Sequence, residues 1–493
     1  MVSASAVQPD RMQADLLHAR TVRQLAPLLI AAVVVLALPA TAPGRSVEVP
    51  RRAAMVLQGE HRDDLAGASV ARAGDVNGDG RGDVIVGAPL ADARGRRDAG
   101  SAYVVFGGKQ RGRVRLGELG PLGFRIDGAV SRPSTHRPTG AGATVTGAGD
   151  VNGDGLADVL VSGTTQPLYE TGPRYSWSAA FVVFGKRDTT PVDLAELGTG
   201  GFVVHPVDHV VTAIEPAGDV NGDGRADVAV ATGIEGDEGR GTVVIVFGKG
   251  DAGPVFPFAD LGAVPWGFRV SGGAGGLRLG RVAPAGDVNG DGRGDLLLGA
   301  PGARQGRVGA RGSVLGRGSV FVLHSPLAPV DPIFLRPGGL FDGFEVDGPR
   351  RRQGFGYAVA RFGRGIIAGA PGAAIPPRGR GGAWIVPRRG ARPIRLVGPR
   401  RGGPAGVAVD APGDVAGGRR PDALVVMRGR SRGHAKVLLF SAHGRLLVTY
   451  RRLRNDREVR IAAAGAGNVI GNRRNDLIFG SPGSNRAFVL ASR

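Results

Sequence analysis

Asp75-Val76-Asn77-Gly78-Asp79-Gly80-Arg81-Gly82-Asp83 runs directly into Val84-Ile85-Val86, and this stretch decides how the whole chain reads. The same nine positions return as Asp150–Asp158, Asp219–Asp227 and Asp287–Asp295, each followed by an aliphatic triplet: Val159-Leu160-Val161, Val228-Ala229-Val230 and Leu296-Leu297-Leu298. Short alternating segments such as Ala68–Arg72 precede them. Aliphatic runs bounded by glycine read as strands, so each loop is a connection between two strands. Weaker copies continue at Gly365–Pro371, Asp422–Val426 and Asp476–Phe479, which makes seven.

Working outward, a following strand also occurs seven times, from Ala102–Phe106 to Ala487–Leu490. A fourth strand, as in Gly123–Asp127, Gly201–Val204, Gly267–Val270 and Gly343–Asp347, occurs only six times. Ala54–Gly59, ahead of the first repeat, has the pattern of the missing one. The expected fold is therefore all-β: a seven-bladed β-propeller of four-stranded antiparallel blades over residues 53–493. The N-terminal strand is expected to complete the last blade and close the ring, tying both termini and leaving only short edges.

Composition agrees. The 493 residues include 86 glycines and 34 prolines, which call for many turns, while 42% hydrophobic residues exclude a wholly disordered chain. No Gly-X-Y period exists, which excludes collagen. The absence of cysteine excludes disulfides, thiolate metal sites and a thiol nucleophile. The net charge of +20 is almost entirely arginine, with lysine only at Lys109, Lys186, Lys249 and Lys436. Coding bias and a polyanion partner both account for that skew.

Residues 1–42 read as a signal peptide: Arg11, Arg20 and Arg23, an apolar run from Leu25 to Leu38, then Ala40-Thr41-Ala42. An uncleaved N-terminal anchor is the alternative. Residues 43–52 read as a linker. No second apolar segment is long enough to span a membrane, and the expected location is secreted, extracellular or on the cell surface.

Carboxylates at loop positions 1, 5 and 9 with Asn at 3 are hard oxygen donors, and Gly at 4 and 6 permits the tight turn. Three carboxylates within about 4 Å repel by roughly 4 kcal/mol per pair at an effective dielectric of 20, a penalty a divalent cation removes. All-oxygen ligands in a flexible loop favour Ca²⁺ over Zn²⁺ or Mg²⁺. The variable position 7 suggests a backbone carbonyl donor. Asx-rich turns without metal are the bland alternative. The candidate ligands are Asp75, Asn77, Asp79, Arg81 and Asp83; Asp150, Asn152, Asp154, Leu156 and Asp158; Asp219, Asn221, Asp223, Arg225 and Asp227; and Asp287, Asn289, Asp291, Arg293 and Asp295. About four ions are expected. Repeat five has no loop, repeat six keeps only Asp414 and Asp422, and repeat seven holds a single carboxylate, Asp476.

Gly87-Ala88-Pro89, Gly299-Ala300-Pro301 and Gly369-Ala370-Pro371, together with Phe355-Gly356, resemble the FG-GAP repeats of integrin α-subunit propellers and their bacterial relatives. The resemblance implies calcium bound by loop positions 1, 3, 5, 7 and 9, and a role in adhesion or ligand binding. It covers residues 53–493 and speaks to fold more than to function.

Two Arg-Gly-Asp triplets, Arg81–Asp83 and Arg293–Asp295, are not read as attachment motifs, because their Asp residues are ninth ligands. Loops on the face opposite the metal loops carry Arg94, Arg96, Arg97, Arg132, Arg137, Arg174, Arg304, Arg350, Arg378 and Arg428, a basic face suited to an anionic glycan or wall polymer. Tyr169, Tyr175 and Trp177 lie on a long insertion that could stack on a sugar or simply cap its blade. The eight histidines show no metal-ligand spacing, and no nucleophile elbow or phosphate loop is present. The chain is expected not to be an enzyme. Glycosylphosphatidylinositol-specific phospholipase D has similar repeats after a separate catalytic domain, for which the repeats here leave no space. The expected function is adhesion or ligand binding by a calcium-stabilised, monomeric propeller, with an extracellular glycan, polymer or protein as partner and no specific nucleic acid. The alternatives are the propeller of such a hydrolase and a purely structural surface protein.

Overall fold

Every aliphatic triplet is buried on both faces: Val84, Ile85 and Val86 are all 0% exposed. This accounts for the lack of polar alternation in these strands, because a strand covered on two sides gains from apolar residues throughout. A computed structural model describes residues 45–131, 140–165, 177–206, 210–233, 239–258, 266–273, 276–303, 316–325, 332–349, 353–375, 379–399, 403–428, 434–454, 462–472 and 474–492. All belong to the unit Pro43–Arg493. The expected leader, Tyr169 and Tyr175 lie outside the described residues.

The chain is all-β, built from several antiparallel sheets. In the first repeat Ser69–Gly74, Asp83–Ala88, Ser101–Val105 and Gly123–Asp127 pair in sequence order. The same four-strand meander recurs in the repeats that follow. Those of repeats five and six share one sheet through a single Gly381–Ala405 bridge. The last repeat contributes Ala463–Gly467, Asp476–Ser481 and Arg486–Leu490, and its fourth strand is Met55–Gln58, antiparallel to Arg486–Leu490 with Leu57 opposite Ala487. The expected pairing of the N-terminal strand with the last repeat is thus present.

Between consecutive repeats lie shared apolar clusters. Ile85, Val104 and Phe124 of the first repeat meet Val159, Val161 and Phe181 of the second. On the opposite side, Val84, Val86 and Tyr103 meet Ile478 and Val489 of the last repeat, with Met55 and Leu57. The first strands also touch in series, and Ala463–Gly467 touches Ser69–Gly74.

Glycine makes four of these junctions possible. A β-carbon added at Gly87 would collide with the Gly142 carbonyl. The pairs Gly299–Gly356, Gly369–Gly406 and Gly480–Gly67 stand in the same relation. The second member of each pair has φ between +81° and +87°, a left-handed conformation that favours glycine. Gly299-Ala300-Pro301 and Phe355-Gly356 are therefore the two halves of one backbone contact between neighbouring repeats, and Ala-Gly takes the place of Phe-Gly at the other three.

The connection between third and fourth strands often adds a fifth strand to the preceding repeat. Gly112–Arg115 runs parallel to Met55–Gln58, Val192–Asp193 to Gly123–Asp127, and Ile333–Leu335 to Gly267–Gly272. Residues 45–52, within the stretch expected as a linker, behave likewise. Arg45–Glu48 pairs in parallel with Leu446–Arg454, the helical turn Val49–Arg52 follows, and Val49 is fully buried. The correction has a simple cause: four residues suffice to cover a sheet edge, too few to show a period.

Leu57→Ala removes a fully buried side chain from the strand that joins the chain's two ends. It is expected to cost about 3 kcal/mol, read as a lowered urea midpoint.

Candidate metal loops

The four loops share one hydrogen-bond pattern. In the second, Asp150 Oδ1 accepts the amides of Gly153 at 2.7 Å and Asp154 at 3.1 Å, and Oδ2 accepts that of Gly155 at 2.8 Å. Asn152 Oδ1 accepts from Asp154 N at 2.9 Å, and Asp154 Oδ1 from Leu156 N at 2.8 Å. Asp219–Arg225 and Asp287–Arg293 repeat these contacts, and Asp75–Arg81 most of them. Glycines at positions 4 and 6 adopt φ of +73° to +86°. Position 5 is exposed in every loop.

Position 9 behaves differently. Asp83 is 0% exposed; its Oδ2 accepts from Val76 N and its Oδ1 from Gly107 N, both at 2.7 Å. Asp158 and Asp227 hold the corresponding amides at the same distances, and Asp295 those of Val288 and Ser325. The carboxylate thus ties its own loop to the end of the third strand. Repeat seven retains this clamp although most of the ligand set is gone, with Asp476 accepting from Ile470 N and Ser492 N; in repeat six Asp422 keeps the loop half, accepting from Val415 N and Ala416 N. Burial, partly offset by the amide donors, pushes Asp83, Asp158 and Asp227 up to about 7.

In kind, the donors fit a hard divalent cation: carboxylates, an amide oxygen and backbone carbonyls. Each oxygen that accepts one amide keeps a second lone pair. In arrangement, the loops are Asx turns held by their own amides, and among the described residues no three acidic or imidazole side chains gather as a metal cage. The sequence reading treated position 9 simply as a ligand. The persistence of an aspartate at position 9 in repeats six and seven, where most of the ligand set is gone, is the signal of a second task. That burial also closes Asp83 and Asp295 to any receptor seeking an Arg-Gly-Asp motif.

The loops are joined in a row. The carbonyl of position 1 in one loop accepts the amide of position 8 in the next: Asp75 from Ala157 at 2.9 Å, Asp150 from Ala226 at 2.7 Å and Asp219 from Gly294 at 2.6 Å.

Part of the expected basic face is internally neutralised. Arg94 pairs with Asp127 at 3.0 Å and with Asp193 at 3.4 Å, Arg96 with Asp193 at 2.6 Å, and Arg125 with Asp127 at 2.6 Å. Asp193 lies on a fifth strand, so this network fastens repeat two to repeat one. Arg132, Arg137, Arg174, Arg304, Arg350 and Arg378 lie outside the described residues.

With this geometry in place, the chain matches the family described as FG-GAP repeat at residues 66–105, 214–246 and 279–322, within repeats one, three and four. It is 38% identical over 95 residues to integrin alpha pat-2 of Caenorhabditis briggsae, a stretch that is 19% of this chain and 7% of that protein. Among solved structures it is similar to the fucose-specific lectin from Aleuria aurantia (Hg-derivative form), at 9% identity and a TM-score of 0.33, covering 66% of this chain and 83% of that one. So loose a superposition carries no argument. Three of its repeats thus match FG-GAP repeats, and the chain spans about 7% of the length of the integrin α relative that it resembles.

Asp476→Ala leaves the Ile470 amide without its acceptor in a repeat that lacks the ligand set. It is expected to cost about 2 kcal/mol, by the same amount with calcium or with chelator, as read by urea unfolding.

Proposed function

We propose that residues 53–493 form a seven-bladed propeller, closed by Met55–Gln58, that binds about four Ca²⁺ ions and serves outside the cytoplasm in adhesion or ligand binding. The observation that carries this reading is the fourfold recurrence of one oxygen-donor loop on FG-GAP, integrin α-like repeats. Closure is supported by the pairing of Met55–Gln58 with Arg486–Leu490 and by the apolar cluster shared between the first and last repeats.

In this reading Asp75, Asn77, Asp79, the Arg81 carbonyl and Asp83 hold one ion, and the matching residues of the next three loops hold the others. The ion supplies positive charge that relieves repulsion among the carboxylates, a structural task rather than a catalytic one. Each site adds roughly 2.7 kcal/mol when free calcium exceeds its Kd about 100-fold. In a chain without cysteine, such sites take the place of covalent staples. The partner class is an extracellular glycan, wall polymer or protein.

Calorimetric titration of the chelator-stripped protein is expected to give about four ions and a rise in melting temperature. Asp154→Ala lowers the count by one. An unchanged melting temperature in EDTA would sink the structural role. A glycan array then tests the binding function: retention of anionic glycans that weakens with salt supports it, and turnover of a glycan or ester would instead favour a hydrolase.

The raised carboxyls set a pH dependence. Asp83, Asp158 and Asp227 stay largely protonated in the metal-free fold until the pH passes about 7. Without metal, they stabilise the fold fully below pH 4 and lose that contribution as the pH rises through 7. Calcium requires the ionised form, so its binding is expected to weaken from pH 8 to pH 5, with proton release from these groups on calcium binding detectable by titration in buffers of different ionisation enthalpy.

A further inference from the structure

We propose that the seam between repeats five and six, on the face of the metal loops, binds a small amphipathic organic anion: a carboxylate or sulfonate carried on an apolar ring. This goes beyond the calcium and adhesion reading and does not depend on it. The site exists because repeat five has no loop. Its first two strands join through Phe362-Gly363-Arg364-Gly365, with Phe362 paired to Gly365, and the row of linked loops stops there. A cleft of about 800 Å³ lies beside this short turn, within the size range of small-molecule sites.

Its walls divide by chemistry. Phe362 is buried, Ile394 and Pro421 are half-buried, and together they supply apolar surface. Arg364, Arg420 and His443 are exposed at the cleft, and no carboxylate lines it. Arg420 Nη1 lies 3.3 Å from His443 Nε2. The guanidinium can only donate, so the imidazole nitrogen facing it is the acceptor in this contact. Two guanidinium charges thus face the cleft with no acid lining it. Asp414, on the same loop as Arg420, is occupied with the amides of Gly417, Gly418 and Arg419.

The walls are set before any ligand arrives. A β-carbon added at Gly444 would lie 2.7 Å from Ile394 Cγ2, so the hairpin carrying His443 sits directly on the outer strand of repeat five. At the other end, a β-carbon at Gly363 would be in van der Waals contact with Pro421 at 3.8 Å. A rigid cleft loses little ordering entropy on binding. An inorganic anion would meet only exposed, screened arginines, whereas a ring-bearing anion also covers Phe362 and Ile394.

The test is calorimetric titration of the full chain with naphthalene-2-sulfonate at low salt, and with sodium sulfate in parallel. One naphthalene-2-sulfonate per chain is expected, with sulfate at least tenfold weaker. Arg364→Ala and Arg420→Ala are each expected to weaken binding at least tenfold with unchanged melting temperature and calcium stoichiometry. Arg97→Ala, at an exposed position on a second-to-third-strand loop, should bind as the parent does. No binding, equal binding of sulfate, indifference to both cleft arginines, or an equal loss in Arg97→Ala would each overturn the proposal. A blank glycan array would leave it standing.

Discussion

The backbone contact between paired glycines is the constraint on which the rest depends. Where Gly87 meets Gly142, Gly299 meets Gly356, Gly369 meets Gly406 and Gly480 meets Gly67, no side chain fits between neighbouring repeats. At those four junctions adjacent sheets meet face to face, and in every repeat the second strand is covered on both sides and apolar throughout. Most apolar area in the chain is therefore buried between repeats rather than within one. A single repeat has too little core of its own, and its stability is a property of its neighbours.

The nine-residue loop combines two tasks in one string of acids. Positions 1, 3 and 5 form a solvent-facing cluster of oxygens, while position 9 is a buried clamp between the loop and the third strand. Repeat seven separates the two: it has lost most of the first and kept the second, and repeat six keeps the buried acid with bonds to its own loop. A buried carboxylate is costly unless its oxygens find donors. Here each is met by backbone amides. The carbonyl-to-amide links from loop to loop then make one face of the molecule a connected row, interrupted where repeat five turns in two residues. That gap leaves a cleft between the short turn of repeat five and the flanking hairpins.

Charge is arranged less freely than composition suggests. Arg94, Arg96 and Arg125 are bound to Asp127 and Asp193, residues from the fourth strand of one repeat and the third-to-fourth-strand connection of the next. An excess of arginine on a loop is thus no measure of anion-binding surface, since part of it holds repeats together.

The strands, their order and the loops were all legible in the sequence, because each is local and each recurs: aliphatic triplets, a fixed nine-residue spacing, and a spare strand pattern at Ala54–Gly59. The parallel fifth strands were not, since two to four residues have no period of their own and gain their structure only from the edge they cover. The clamp at Asp83 was hidden because a ligand and a hydrogen-bond acceptor are the same residue until burial distinguishes them. The pairing of Arg96 with Asp193 joins positions too distant in sequence to suggest each other. The cleft arose from a missing segment, which leaves no motif to find. Sequence determines what is local and repeated; burial, partnership across repeats and empty space are decided only when the backbone brings distant segments together.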